Sequence, residues 1–79
     1  MKNQIEIIEK FILRKLVKIK KKYKNFNKKK SFFDQSMDSL DFMKLTFLIE
    51  KKYKIKFSSR DFNKIQSINN VVKFIKKKL

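Results

Sequence analysis

Apolar side chains recur at helical spacing in three stretches of this chain, and the polar gaps between them set its architecture. In residues 3–22, Ile5, Ile8, Ile12, Leu16 and Ile19 follow one another at steps of three and four, with Phe11 and Leu13 widening the stripe. That spacing places them on one side of an α-helix. Glu6 and Glu9 lie near its start and Lys18, Lys20, Lys21 and Lys22 at its end, which complements the helix dipole. Residues 38–53 repeat the pattern, with Leu40, Met43, Phe47 and Glu50 on one row and Phe42, Leu45, Leu48 and Ile49 around it. Asp38 is placed to cap that helix, and Asp41 adds a second carboxylate to its positive start. Ser67 is the cap candidate for a final helix whose apolar face is Ile68, Val71, Val72, Ile75 and Leu79 and whose end is Lys76-Lys77-Lys78.

The connections are equally legible. Residues 23–37 lose the periodicity and hold Asn25, Asn27 and Lys28-Lys29-Lys30, which predicts a long loop pinned to the core by Phe26, Phe32 and Phe33; a loop of that length in a small domain is usually functional or mobile. Lys54-Ile55-Lys56-Phe57 alternates charged and apolar residues, as a short extended connector does. Ser58 or Ser59 would cap a brief helix through Arg60-Asp61-Phe62-Asn63-Lys64-Ile65. The expected fold is all-α: a small four-helix bundle of three main helices plus one short helix, with the long loop between helices I and II, in a single domain over residues 1–79.

Composition narrows the chemistry. A chain of 79 residues buries only about 60% of its unfolded surface, so its core must be dense in large apolar groups, and nine Phe supply many of them. With no Cys and no His there is no disulfide framework, no thiolate or imidazole for zinc and no base poised near neutral pH. No Ser-x-x-Lys arrangement offers a nucleophile and base pair either, so catalysis is the weakest function class. Apolar runs such as Phe11-Ile12-Leu13 fall far short of the roughly 18 residues a membrane span needs. Lys20-Lys21-Lys22 stands where a secretory cleavage site would want small residues. The expectation is a soluble, cytoplasmic monomer.

Charge then singles out one segment. The formal net charge is +16, yet residues 31–50 carry Asp34, Asp38, Asp41 and Glu50 against Lys44 alone, while residues 1–30 hold 12 Lys/Arg against two Glu. Lys, Asn, Ile and Phe abound while Gly, Pro and Ala are missing, the composition AT-rich codons would give. A drift toward lysine would not by itself leave an acidic hole. The alternative is a basic helical module that binds nucleic acid or an acidic surface, with Tyr23 and Phe26 as stacking rings among lysines. Against it stand the lack of a recognised motif and the presence of only two Arg. A further alternative is an amphipathic surface-seeking helix over residues 3–24, whose apolar face the bundle itself requires.

Within the acidic hole lies Asp38-Ser39-Leu40-Asp41. A primary hydroxyl at a helix start meets free N–H groups and a positive dipole end, an environment suited to a phosphodiester. The plainer reading is that Asp38 and Ser39 merely cap the helix.

From about Phe32 to Lys77 the sequence resembles the acyl carrier proteins, phosphopantetheine-binding carriers marked by Asp-Ser-Leu at the start of the second helix after a long loop. Asp38-Ser39-Leu40 carries the resemblance, followed by Asp41. Leu48-Ile49-Glu50-Lys51-Lys52-Tyr53-Lys54-Ile55-Lys56-Phe57 resembles the end of that helix, and Ile65-Gln66-Ser67-Ile68 with Val71-Val72 and Phe74-Ile75 the entry to the last one. The resemblance implies a non-catalytic carrier with 4'-phosphopantetheine from coenzyme A attached to Ser39. It implies as partners a phosphopantetheinyl transferase and acyl-loading and acyl-processing enzymes, with no specific nucleic acid. Asp38 and Asp41 would present a charge pattern to the transferase, and Leu40 and Met43 would flank the serine as apolar contacts. Phe32, Met43, Phe47, Phe57, Ile65, Ile68 and Val72 match positions that line the space between the helices. Two departures stand out. Gln35-Ser36 replaces the usual Leu-Gly pair, so a different local turn is expected, and Lys44 and Lys51-Lys52 stand where the family often has acids that dock on basic partner patches.

A charge of +16 on so few residues opposes compaction, and at low ionic strength the Debye length of about 30 Å lets most of the molecule feel it. The melting temperature should rise with added salt, more with sulfate or phosphate than with chloride. A fall between low and moderate salt would mean that specific ion pairs outweigh the repulsion.

Overall fold

In the computed structural model, which describes residues 3–79, the three strongly periodic stretches form α1 (Gln4–Ile19), α2 (Ser39–Tyr53) and α3 (Ile68–Lys78). Each starts on a side-chain cap: Asn3 Oδ1 accepts from the Glu6 N–H at 2.9 Å, Asp38 Oδ1 from the Leu40 N–H at 2.7 Å, and Ser67 Oγ from the Asn70 N–H at 3.1 Å. Caps of this kind contribute about 1 kcal/mol each. No strand occurs among the described residues.

The first helix ends with the last residue of its apolar stripe, Ile19, three residues short of the expected range 3–22. Lys20 takes an extended conformation after Ile19, and the chain then recloses as a 3₁₀ turn over Lys21–Asn25. That break carries Tyr23 into the core, fully buried. The expected short fourth helix is a single 3₁₀ turn, Asp61–Asn63, without a serine side-chain cap. It is the Asp61 carboxylate that accepts the Ser58 N–H, at 2.8 Å.

Ile8, Phe11, Ile12 and Leu16 of α1 pack with Phe42, Leu45 and Ile49 of α2 and with Ile68, Val71, Val72 and Ile75 of α3. Leu79, assigned to the last apolar face, lies exposed. A connected series of rings runs through the core: Tyr23 to Phe26, Phe32, Phe42, Phe62, Phe57 and Phe74, with centroids 4.7 to 6.3 Å apart. Each such pair adds about 0.5–1.5 kcal/mol beyond its buried area, and together they join the long loop to α2 and α3. Tyr53 packs edge-on against Phe11, but its buried hydroxyl has no hydrogen-bond partner, and burial pushes its phenol pKa up.

The long loop is laid onto the bundle rather than left free. Phe32 N–H donates to the Gln66 carbonyl at 2.7 Å and Asn69 N–H to the Lys28 carbonyl at 3.0 Å, while Lys28 pairs with Glu9 at 2.7 Å. Gln35 closes the loop on itself: its Nε2 donates to the carbonyls of Asn27 and Lys30, and its Oε1 accepts from the Asn27 N–H. The radius of gyration, 11.6 Å, is the roughly 12 Å of a fully packed chain of this length.

Among the described residues two adopt left-handed backbone, and neither is glycine: Ser36 at φ 66° and Lys54 at φ 55°. The turn before α2 therefore takes the conformation glycine favours although Ser36 occupies it. At Lys54 the last turn of α2 closes as Lys54 N–H and Ile55 N–H both donate to the Glu50 carbonyl, a pattern that usually employs glycine. Lys54→Gly should stabilise the fold by about 0.5–1 kcal/mol, since relief of left-handed strain exceeds glycine's extra unfolded entropy. Urea titration measures this, and a lower midpoint for the variant would contradict the assigned geometry.

Candidate prosthetic-group attachment site

Ser39 is the first residue of α2 and is exposed. Three local features aim it. Ser36 turns the chain left-handed, Met37 is buried with its N–H donating to the Phe32 carbonyl, and Asp38 is extended so that its carboxylate folds over the Leu40 N–H. Met37 and Phe42, both buried, occupy the two positions of a hydrophobic staple that fixes the entry angle of the chain. The hydroxyl thus leaves a rigid platform at the positive end of a 15-residue helix.

The two flanking acids have different fates. Asp38 is exposed. Asp41 is 4% exposed, so it is no surface charge for a partner to read, and that expectation is corrected. Its Oδ2 accepts the Tyr23 hydroxyl at 2.6 Å and pairs with Lys20 Nζ at 3.0 Å, while Lys44 stands 3.9 Å from Oδ1. A buried carboxylate needs such partners. The Tyr23 hydroxyl first, and then Lys20, hold the Asp41 carboxyl below its ordinary range. Burial, reinforced by the hydrogen bond to Asp41, pushes the Tyr23 phenol up, and Asp41 raises the Lys20 ammonium. This node links the 3₁₀ turn after α1 to the first turn of α2, two residues from Ser39. Nothing local in the sequence signals it, because Tyr23 and Lys20 lie 18 and 21 positions before Asp41.

The apolar flank also differs from expectation. Phe42, Leu45, Thr46 and Ile49 take the inward face of α2, leaving Leu40 71%, Met43 52% and Phe47 55% exposed. Met43 and Phe47 therefore do not line the space between the helices. With Lys20, Asp38, Asp41 and Lys44 they line an open groove of about 570 Å³ beside Ser39. Phe32, Phe57, Ile65, Ile68 and Val72 do lie in the core.

These features fit a phosphopantetheine arm: an exposed hydroxyl that the cap leaves unengaged, a helix start that favours a phosphodiester, and an apolar strip along which a long substituent can lie. A helical bundle that presents such a serine after a long, pinned loop has the build of a carrier domain. The family model for the phosphopantetheine attachment site matches residues 13–75. Across 78 residues, 99% of this chain and 95% of the relative, the sequence is 37% identical to the acyl carrier protein of Buchnera aphidicola subsp. Acyrthosiphon pisum, in strains Tuc7 and APS. The chain belongs to the acyl carrier protein family: it carries acyl intermediates on covalent 4'-phosphopantetheine and is not itself an enzyme. No solved structure matches it. No helix among the described residues is long and apolar enough to cross a membrane. The nucleic-acid reading finds no support in these relatives, and Tyr23, one of its two stacking rings, is buried.

Because the folded-state pKa of Asp41 is depressed, its contribution is complete above the ordinary carboxylate pKa of about 4 and is lost as pH falls through the lower folded value. Tyr23 is raised, so its contribution is complete below about pH 10 and is lost above. Tyr23→Phe should cost about 1.5–3 kcal/mol near neutrality, the range for a hydrogen bond to a charged group. The deficit should shrink below about pH 4 and above about pH 10. Chemical denaturation at several pH values reads this out, and a deficit constant from acid to alkali would contradict it.

Proposed function

We propose that Ser39 is the attachment residue, loaded from coenzyme A by a phosphopantetheinyl transferase. On this reading residues 1–79 form one monomeric cytoplasmic carrier domain. It serves enzymes that load and process acyl groups in fatty acid, lipid or secondary-metabolite biosynthesis. The observation that carries the assignment is the contrast between the two serines at helix starts. Ser67 is 4% exposed and its hydroxyl is occupied with Asn70. Ser39 is exposed, one residue past a cap whose carboxylate satisfies the neighbouring N–H.

When bound, the arm supplies a terminal thiol on which acyl groups ride as thioesters. The chain's own residues act around it. Asp38 holds the first turn open for the hydroxyl to project and keeps one negative charge beside it for a basic transferase surface. The helix dipole favours the phosphodiester. Leu40 and Met43 offer apolar contact to the arm or to the transferase. Asp41 contributes by holding the turn, not by display.

Incubation with coenzyme A and a broad-specificity transferase should add one phosphopantetheine by intact mass. Ser39→Ala should abolish the addition with helical content unchanged. Asp38→Lys should slow loading, and replacement of Lys28, Lys29 and Lys30 by Gln should matter little. Equal modification of the Ser39→Ala protein would end the assignment.

A further inference from the structure

We infer that the acyl group rides outside the bundle, in a groove between α1 and α2 floored by Ile19, Phe47 and Leu48, and not in the interior. The inference rests on the attachment reading, because it concerns what the arm on Ser39 carries.

The interior is already filled. Phe32, Ile65 and Ile68 are fully buried, and Val72 and Phe57 nearly so. Aromatic rings pack among them: Phe42 lies 5.6 Å from Phe32 and 6.2 Å from Phe62, and Phe57 lies 6.3 Å from Phe62 and 5.1 Å from Phe74. A core packed in this way admits extra methylenes only by driving side chains from their rotamers. The other two positions expected to line the interior, Met43 and Phe47, face outward instead.

Outside, an apolar surface is already formed and leads away from Ser39. Leu40, Met43 and Phe47 belong to the groove of about 570 Å³ beside the serine. Phe47 and Lys44 also belong to a second groove, of about 370 Å³, whose other linings are Lys18, Ile19 and Leu48. The two grooves are therefore continuous. Ser39 and Phe47 are eight residues apart, about 12 Å along the helix axis. An extended arm spans that distance, so its thiol arrives where the second groove begins. Ile19 and Leu48 are half-buried there. Lys18 and Lys44 can lay their methylene stems along a chain while their ammonium groups stay in water. Lys51 stands over the Phe47 ring at 5.6 Å and steadies it. A third groove, of about 380 Å³, also reaches Phe47, but Glu50, Lys51, Lys54 and Lys56 form most of its wall, so an acyl chain buries less apolar surface in it. Cargo held between α1 and α2 can be lifted off by an enzyme without any opening of the core.

The probe is octanoyl-coenzyme A, from which the transferase places an octanoyl-bearing arm on the ¹³C,¹⁵N-labelled full chain and releases adenosine 3',5'-bisphosphate. Nuclear Overhauser contacts from the octanoyl methylenes should reach the side chains of Ile19, Phe47 and Leu48. A soluble gadolinium chelate should broaden the octanoyl methyl far more than the methyls of Ile12 and Ile65, which are fully buried. Phe47→Ser should remove the contacts, with the octanoyl arm still present by intact mass and helical content unchanged. Contacts to Phe57, Ile65 or Val72, with the octanoyl methyl protected from the chelate, would overturn the proposal. So would contacts that survive Phe47→Ser, or a chain that touches no side chain at all. The two readings fail separately. If Ser39 gains no mass, the attachment reading is lost and this inference with it; if the mass is gained and the octanoyl group enters the core, this inference alone is lost.

Discussion

A carboxylate buried in the first turn of α2 is the constraint on which the site depends. Asp41 is covered at the edge of the open groove beside Ser39, where an unpaired negative charge would be costly. Its ionised form persists because the Tyr23 hydroxyl and the Lys20 ammonium meet it. To bring both within reach, the chain must leave α1 at Ile19, pass through extended Lys20 and wind the 3₁₀ turn that inserts Tyr23. The helix start that displays Ser39 is thereby fixed to the end of α1. The Tyr23 ring then opens the aromatic series that reaches α3 through Phe26, Phe32 and Phe42.

Scarcity of acids explains much of the rest. Of seven acids in the chain, Asp38 caps α2, Asp41 anchors it, Glu9 holds Lys28, Glu50 ties its helix to Phe57, and Asp61 secures the turn after it. With these five engaged in structure, and Glu6 and Asp34 left exposed, lysines dominate the outer surface together with the apolar row of α2. The same economy appears in the backbone. A chain without glycine still adopts left-handed turns at Ser36, on the approach to Asp38, and at Lys54, where α2 ends.

Periodicity made the three helices legible, because each is written in apolar residues three or four positions apart, and residue type marked the caps at Asp38 and Ser67, whereas the candidate attachment serine was read from the resemblance of Asp38-Ser39-Leu40 to the carrier family. It could not decide which apolar row of α2 faces inward. Leu40, Met43 and Phe47 form as regular a stripe as Phe42, Leu45 and Ile49, and only packing against α1 and α3 separates them. The role of Asp41 was hidden for a related reason. An acid in a first helical turn reads as a dipole partner on the surface, whereas its true partners lie 18 and 21 residues upstream. Gln35 likewise reads as a departure from a familiar pair, and its bonds to Asn27 and Lys30 emerge only once the loop is folded. The end of α1 was misplaced because lysines continue evenly past Ile19, and nothing local marks where the helix must yield to seat Tyr23.

The central claim is that Tyr23 and Asp41 act as one unit to present Ser39. A double-mutant cycle on the initial rate of phosphopantetheine loading, with Tyr23→Phe and Asp41→Asn made singly and together, tests it most directly. The account predicts that the double variant loads no more slowly than the slower single one, because either change dissolves the same node. Rate losses that simply multiply would mean that the two residues act independently, and that something other than their contact holds Ser39 in place.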